Sequence, residues 1–272
     1  MPTEHRRGNG LRQGTASAVP NEPASSEVST PGTGGSVSQP CTDSRLAQFL
    51  SLLQFADGLF PAGAYAHSFG LETFVQESRV RDAASVELFL REFLAASSAP
   101  ADAVAVLCAW RAAGQGGLDA VIALDCRLDA MKSASELRDA SRQMGRQTLR
   151  IASTLAPDSL AAEFFRAIEA GAASGHHSVA FGVVGASLGW PPKETAAAFL
   201  YATSAALVGA ALRLIPLGQL AGQRILWELQ PLLHSLAEQA LAKSEADIWS
   251  FAPALEIASM RHASLDARLF RS

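Results

Sequence analysis

The sequence predicts an all-α fold: a single domain of about ten helices over residues 41–272, preceded by a disordered tail over residues 1–40. Three observations support this prediction. Apolar residues recur three and four positions apart in one segment after another, which is the spacing of one face of an α-helix. Alanine and leucine are abundant in these segments. Runs of alternating β-branched residues, which a sandwich or a barrel needs, are missing from the sequence.

The first 40 residues differ from the rest of the chain in composition. They contain no aromatic residue and are rich in Gly, Pro, Ser and Thr, so they cannot bury enough apolar surface to fold. They lack the basic start and apolar core of a secretory signal, and Glu4, Glu22 and Glu27 argue against an acid-poor transit peptide. We therefore expect a disordered tail followed by roughly 230 residues of one large domain.

The cysteines indicate a reducing compartment. Cys41, Cys108 and Cys126 are odd in number and form no Cys-x-x-Cys pair, and the last two lie in apolar segments. Residues of this kind are typical of reduced, buried thiols in a cytoplasmic protein.

Charge and hydropathy argue against two classes of partner. The formal net charge of −4 provides no general attraction to nucleic acid or to anionic lipid. Residues 170–192 and 195–212 carry no charged side chain, which raises the question of membrane insertion. The first stretch contains two histidines with several serines and glycines, and the second is diluted by Ala, Thr and Ser, whereas a spanning helix needs about 20 predominantly apolar residues. We expect neither nucleic acid nor a membrane as a partner.

The first helices follow from their apolar stripes. After Asp43, one stripe consists of Leu46, Phe49, Leu50 and Leu53. A second helix begins near Ser85 and is expected to direct three side chains toward the core, namely Leu88, Phe89 and Phe93. We expect a new helix to start at Pro100, since proline fits the first helical turn, and to end at the glycine cluster of residues 114–117.

Caps mark the helices in the middle of the chain. Residues 119–131 are predicted to be helical, and Ser133 with Glu136 has the spacing of a capping box that opens the next long helix. Pro157-Asp158-Ser159 then breaks that helix and caps another one. Its apolar residues recur every four positions, at Leu160, Phe164 and Ile168.

The remaining helices are rich in small residues. HHSVAFGVVGASLG ends at Pro191-Pro192, and a long Ala-rich helix follows it. Residues 217–241 predict a last long helix with a kink near Pro231. A further helical piece, with Trp249 and Phe251 near its start, leads to the C-terminal tail RHASLDARLFRS.

Ser68 is a candidate nucleophile because Ala66-x-Ser68-x-Gly70 is a near relative of the Gly-x-Ser-x-Gly turn of α/β-hydrolases. That turn needs a buried strand before the serine. Residues 57–64 contain two glycines and a proline, which would weaken a strand, so Ser68 is instead expected to begin or cap a helix. A serine esterase that uses Ser68 remains the alternative hypothesis.

Metal and phosphate sites are not predicted. His176 and His177 are adjacent, so on a helix they point about 100° apart, and no His-Glu-x-x-His or cysteine-rich ligand pattern is present. We expect one histidine to pack against the protein and the other to lie at a surface or interface, with transient metal contact a weaker possibility. No phosphate-binding Gly-x-x-x-x-Gly-Lys-Ser/Thr motif occurs either. No catalytic group, metal ligand set or cofactor follows from these patterns.

The segment DGLFPAGAYAHSFGLETFVQE closely resembles the signature near the start of urease accessory protein UreF, which runs roughly as Pro-x-Gly-x-(Tyr/Phe)-x-(His/Tyr)-Ser-x-Gly-Leu-Glu. Further similarity lies in ELRDASRQMGRQTLR, GHHSVAFGVVGASLG, YATSAALVGAALRLIPLGQ and the terminal RLFRS. The resemblance covers about residues 43–272, and the tail before them has no counterpart.

The resemblance implies a homodimeric, non-enzymatic scaffold. Proteins of this family bind the accessory protein UreD, called UreH in some organisms, and recruit the GTPase UreG, so that nickel is delivered into apo-urease. By the same resemblance, Ser68 helps to shape a partner-binding loop rather than acting as a nucleophile.

The expected partner-binding residues lie in that loop and in the tail. Tyr65 and His67 are the amphipathic anchors of the loop, whereas Phe69 and Leu71 are expected to be packing residues. We expect the tail to fold against its own domain or against the UreD-like partner and to present the Tyr65 loop to the GTPase. The full set implied by the resemblance is Tyr65, His67, Ser68, Glu72, Arg268, Phe270 and Arg271.

Overall fold

The computed structural model describes residues 44–265 and 267–271. Within these ranges the protein is helical and contains no strand, which confirms the all-α prediction. The predicted tail over residues 1–40 lies outside the described residues. The helices are α1 Ser44–Ala56, α2 Leu71–Gln76, α3 Ala83–Phe93, α4 Val104–Gly114, α5 Leu118–Met131, α6 Ser135–Leu155, α7 Leu160–Glu169, α8 His177–Ser187, α9 Pro192–Leu214, α10 Gln219–Leu241 and α11 Pro253–His262.

The core is built around α4 and α8, which pack closely along their length. Helix α8 is apolar on all sides because other helices cover it: α6, α7 and α9 also lie against it. Trp190, which follows α8, is fully buried, and its ring contacts those of Phe55 and Phe181. Helix α10 packs along α9. The helix bundle therefore surrounds one continuous apolar core.

Gly182 lets α4 and α8 approach each other closely. A Cβ atom at this position would lie well inside van der Waals contact of the Val106 carbonyl oxygen on α4. We expect Gly182→Ala to lower the free energy of unfolding by about 2–3 kcal/mol, since the two backbones must separate. Thermal and urea unfolding measure this loss. Gly114→Ala is the matched control, because a Cβ there meets no atom of the described residues within 4 Å; equal stability of the two variants would contradict the packing argument.

The prediction that a helix starts at Pro100 is wrong. The chain is one continuous helix from Ala83 to Gly114, in which Leu94–Ala103 forms wider π-helical turns around the proline. Proline has no N–H to donate within the helix, and the backbone N–H of Phe251 donates to the Ala96 carbonyl of these turns at 3.0 Å. The N–H of Trp249 similarly donates to the Pro100 carbonyl. The segment before α11 thus donates two hydrogen bonds to carbonyl groups of the π-helical turns.

Two predicted apolar stripes are only partly buried. The α1 residues Leu46, Phe49, Leu50 and Leu53 are 50–56% exposed. Helix α1 lies at the edge of the bundle against α9, and it buries other residues, Leu52 and Phe55. In α3 the prediction for Leu88 is wrong, because this side chain is exposed. The buried face of α3 consists of Val86, Phe89, Leu90 and Phe93.

One predicted cap is confirmed and another is wrong. Ser159 caps α7, as its hydroxyl accepts the Ala162 N–H. The capping box at Ser133 does not form: α6 begins at Ser135 with Ala134 at the cap position. The Ser135 hydroxyl donates to the Glu136 carboxylate instead of serving the backbone.

Of the cysteines, Cys108 is buried as expected, but Cys126 is exposed. It lies on the outer side of α5, whose inner face is formed by Val121, Leu124, Asp125 and Leu128. Cys41 lies outside the described residues.

Two helices are long and apolar enough to cross a membrane by length and composition, namely Ala83–Gly114 and Pro192–Leu214. Of their most apolar windows, 67% and 50% of the residues are buried inside the fold. Core helices of a soluble protein pass the same test, so two such helices are weak evidence for a membrane span. Residues 170–192, the first of the two uncharged stretches, form a loop, α8 and a turn.

Candidate functional site

The loop and the tail singled out by the sequence lie side by side in the structure. The Tyr65 loop, defined as residues 57–70, connects α1 to α2 and contains a short 3₁₀ turn at Ala64–Ala66. At its centre Tyr65 is 69% exposed. The backbone N–H of Arg271, in the tail, donates to the Ala66 carbonyl at 2.9 Å. The C-terminus therefore contacts the backbone of the Tyr65 loop directly.

Glu72 anchors the tail. Its carboxylate is buried, with 2% of the residue exposed, and it accepts three hydrogen bonds. The donors are Nε2 of His262 at 2.7 Å, the N–H of Leu269 at 2.7 Å and the N–H of Phe270 at 3.1 Å. A buried carboxylate needs such donors to compensate for the lost water. Glu72 thus contacts the protein's own tail, whereas the sequence placed it among the partner-binding residues.

Further contacts fix α2 against α11 and the tail. The Thr73 hydroxyl donates to the Ala258 carbonyl, and the Gln76 amide donates to the Ala267 carbonyl, each at 2.8 Å. Gly70, which precedes α2, has φ +85°, and a Cβ there would lie 3.0 Å from the Ser259 hydroxyl on α11. The Gly at this position is required by both its left-handed backbone and this close approach.

Arg213 joins the loop to the tail. It lies in the last turn of α9, and its Nη2 donates to the Tyr65 carbonyl at 2.8 Å. Its guanidinium carbon lies 3.7 Å from the centroid of the Tyr65 ring and 4.2 Å from that of the Phe270 ring. Both distances are within the range of cation–π attraction. Phe270 itself is buried and forms an apolar plug beside Arg213.

Ser68 lies two residues before the N-cap position of α2, which Gly70 occupies. Its hydroxyl accepts the N–H of Glu72 in the first turn of α2, at 3.4 Å, and the residue is fully buried. A 3₁₀ turn and extended residues precede it, and the part of the chain that the structure describes has no strand. The exposed strand-to-helix elbow that the esterase hypothesis requires is not formed in the described residues. Ser68 bonds to the first turn of α2 but is not its cap residue, because Gly70 occupies that position.

The other predicted residues divide between the interior and the surface. His67 is buried beneath the loop, while Arg268 and Arg271 have exposed side chains. Phe69 is partly buried against Phe93, and Leu71 is fully buried, so both are packing residues as expected.

Burial and two nearby cationic groups lower the pKa of His67. Loss of hydration contributes most, followed by the charges of Arg271 and His262, and the pKa falls from 6.5 to about 4. The unfolded chain keeps the ordinary value of about 6.5, so it binds the proton first as the pH falls. The stability that neutral His67 contributes is complete above pH 6.5 and is lost toward pH 4.

Acidification from about pH 7.5 to pH 5 should therefore remove about 2 kcal/mol of stability through this one group. Urea unfolding over this pH range measures the effect. His67→Gln, which does not titrate, should show a pH dependence smaller by that amount. The exposed His234→Gln on α10 is the matched control. Wild-type pH dependence in His67→Gln would contradict the assignment.

The two adjacent histidines have different roles. His176 is fully buried, and its Nε2 lies 3.0 Å from the Asp129 carboxylate while its Nδ1 lies 3.1 Å from the Ser141 hydroxyl. Burial lowers the pKa of His176, so a neutral ring that donates from Nε2 and accepts at Nδ1 fits these partners. This histidine packs against the protein, as predicted for one of the pair.

His177 lines a cavity beneath the Tyr65 loop, and burial lowers its pKa to about 4. The cavity, called here the Tyr65 cavity, has a volume of about 260 Å³. Within the described ranges, no three His, Cys, Asp or Glu side chains are grouped so that they could hold a metal ion.

Two site residues were not predicted from the sequence. Arg213 resembles any basic residue in a last helical turn, where it suits the helix dipole. His262 carried no motif. Arg213 lies in YATSAALVGAALRLIPLGQ, one of the segments that resemble the family, but neither residue was singled out.

The described part of the protein is helical, and the charged side chains at the site, Glu72 and Arg213, bind main-chain groups of the tail and of the Tyr65 loop. Such an arrangement is typical of a protein that acts through contacts with other proteins. A sequence model of the UreF family matches residues 80–230. A urease accessory protein UreF from Bacillus sp. (strain TB-90) is 34% identical over 225 residues, which cover 83% of this chain and 99% of that protein. Those of Paenarthrobacter aurescens (strain TC1) and Arthrobacter sp. (strain FB24) are 35% and 36% identical over 223 residues, 82% of this chain and 97% and 96% of theirs. The chain belongs to the UreF family of urease accessory proteins.

Proposed function

We propose that this protein is a non-enzymatic, cytoplasmic scaffold for urease maturation. It acts as a homodimer, binds a UreD/UreH-like accessory protein and recruits a UreG-like GTPase, so that nickel is inserted into apo-urease. Membership of the UreF family supports this role, since the relatives are named urease accessory proteins. Nickel is the cargo of the assembly in this proposal.

One observation carries the proposal: the C-terminal tail is fastened beneath a loop whose central tyrosine stays exposed. Glu72 holds the tail by its backbone, and Arg213 contacts both the Tyr65 ring and the Phe270 ring. Rigid, exposed aromatic side chains are frequent energetic centres of protein interfaces. An ordered tail thus keeps the Tyr65 loop in one conformation, which lowers the entropy cost of binding. We assign Tyr65 to the GTPase surface and Arg271, beside it, to the same surface.

In this proposal, four buried residues hold the Tyr65 loop in place. His67 and Ser68 lie on its inner side, and Glu72 and Phe270 fix the tail against it. Arg268, whose side chain is exposed on the tail, is assigned to the contact with the UreD-like partner. A guanidinium on a surface of this kind suits a carboxylate or backbone carbonyl of the partner.

Tyr65→Ala should strongly weaken capture of the GTPase by the complex of this protein with its UreD-like partner. The loss expected for an anchor residue is about 30-fold or more in Kd, since such residues contribute at least 2 kcal/mol. Calorimetry or a pull-down with the purified proteins measures it. Phe251→Ala removes an aromatic ring that is 74% exposed outside the site and should bind as the wild type does. A GTPase that binds Tyr65→Ala with unchanged affinity would overturn this role of the loop.

A further inference from the structure

The Tyr65 cavity lies between the Tyr65 loop and α9, and its walls are mostly apolar. Tyr65 and Arg213 both contribute to its lining, so it opens beside the surface proposed for the partner. Six phenylalanines also line it, namely Phe55, Phe60, Phe69, Phe93, Phe181 and Phe199. A space enclosed by such side chains favours an apolar occupant.

Helix α9 contributes a wall of small residues. Ala202, Ala205, Ala206 and Gly209 recur at three- and four-residue spacing and are half-buried along the cavity. Small side chains on one face of a helix let another group approach its backbone closely.

Gly209 has no structural reason to be glycine. It lies inside α9, where glycine costs about 0.5–1 kcal/mol relative to alanine, and a Cβ built on it meets no atom of the described residues within 4 Å. Four other glycines inside helices each face a neighbour at 3.1 Å or less from such a Cβ, namely Gly145, Gly182, Gly185 and Gly222. Packing within the protein explains those four. Gly114 is also open, but it is the last residue of α4, where glycine is common. The open space above Gly209, inside α9, leaves room for a group from outside.

A second observation points to a ligand. The Ser98 residue is 1% exposed and lines the cavity, and its hydroxyl has no hydrogen-bond partner among the described residues. Buried hydroxyl groups are normally paired, since an unpaired one loses its hydrogen bonds to water. Nearby polar groups in the lining are already engaged: Lys132 pairs with Asp102 at 3.0 Å, and the Ser178 hydroxyl donates to Asp102. Ser98 is thus available to an occupant.

We propose that the Tyr65 cavity receives a projecting side chain of the UreG-like GTPase, apolar along its length and with a hydrogen-bonding tip that reaches Ser98. This inference rests on the proposed function. The volume of about 260 Å³ is below the roughly 300–1,000 Å³ of pockets that enclose a drug-sized molecule, which favours a side chain as the occupant. The cavity also adjoins Tyr65, so the same partner that contacts the exposed ring reaches the opening.

The test fills the cavity from α9. Gly209→Leu places a side chain in the open space and should weaken GTPase binding to the preformed complex with the UreD-like protein by about 10-fold or more, as expected when one buried apolar side chain is displaced. Gly114→Leu adds the same group to open space at the end of α4 and should leave binding unchanged. Ala206→Leu fills the cavity one turn earlier and serves as a second variant if Gly209→Leu does not fold. Circular dichroism and thermal unfolding verify the fold of each variant.

The thermal stability of Gly209→Ala shows whether the space above Gly209 is open or whether the protein's own packing requires a glycine there. Gly209→Ala should raise Tm by about 2–4 °C, because it improves helix propensity without a clash. Unchanged GTPase binding by folded Gly209→Leu or Ala206→Leu would overturn the inference, as would loss of UreD-like binding with GTPase binding intact. If Tyr65→Ala weakens GTPase binding while the filling variants do not, the proposed function stands and the cavity inference fails. If no variant binds differently from the wild type, both fail.

Discussion

Replacing Glu72 with alanine is expected to lower the free energy of unfolding by about 3–5 kcal/mol and to release the C-terminal tail, because the buried donors that bond to its carboxylate lose their acceptor. His262 is fully buried and loses the carboxylate that its Nε2 contacts. The N–H groups of Leu269 and Phe270 lose their acceptor at the same time. The tail can recover its hydrogen bonds only by leaving the fold for water.

Urea unfolding and amide hydrogen exchange at Leu269 and Phe270 measure these two effects. Glu77→Ala provides a matched control on the residue after α2. Its carboxylate pairs with Arg79 and Arg261 at the surface, and exposed pairs contribute at most about 1 kcal/mol. If Glu72→Ala is no less stable than Glu77→Ala, and the tail amides stay protected, the anchor described here is wrong.

Deletion of residues 268–272 is expected to leave a folded helical dimer that no longer recruits the UreG-like GTPase. The deletion removes the Phe270 plug and the three N–H groups that bond to Glu72 and to the Ala66 carbonyl. Hydrogen bonds to a charged group contribute about 1.5–3 kcal/mol each, so the loop loses enough support for GTPase affinity to fall by about 100-fold or more. These residues belong to none of the helices, so the helical content should remain.

Pull-down of the GTPase and the UreD-like protein, together with size-exclusion chromatography of each variant alone, measures this outcome. Leu269→Ala is the control: its side chain is 59% exposed and the variant keeps the backbone N–H that bonds to Glu72. It should recruit the GTPase normally. Undiminished recruitment by the truncated dimer would refute the role of the tail.

Much of the fold could be predicted because the sequence signals of a helix lie within the helix and at its ends. The period of apolar residues and the cap at Ser159 predict α7 without any distant contact. The error at Pro100 has a long-range cause, since the N–H groups that stabilise the π-helical turns come from Trp249 and Phe251. The exposure of Leu46 and Phe49 was likewise unpredictable, because a stripe does not reveal how many neighbours its helix will have.

The candidate site was predicted only in outline. The loop and the tail came from the resemblance of their motifs to those of a family. The link between them depends on contacts such as that of Glu72 with Leu269, 197 residues apart, and that of Arg213 with Tyr65, 148 residues apart. Neither pair shares a local pattern. Glu72 illustrates the limit: the family resemblance suggested a role in partner binding, and only the fold shows that its carboxylate faces the tail.

The anchor at Glu72 recognises main-chain N–H groups, which every residue except proline carries. Variation in side-chain identity at position 269 should therefore be tolerated, whereas a proline there would not be. The spacing between His262 and the anchored residues should be strictly held, because one inserted residue would move Phe270 away from Arg213 and bring its neighbour there. The number of residues in the tail, more than the identity of most of its side chains, therefore determines which residue reaches Arg213.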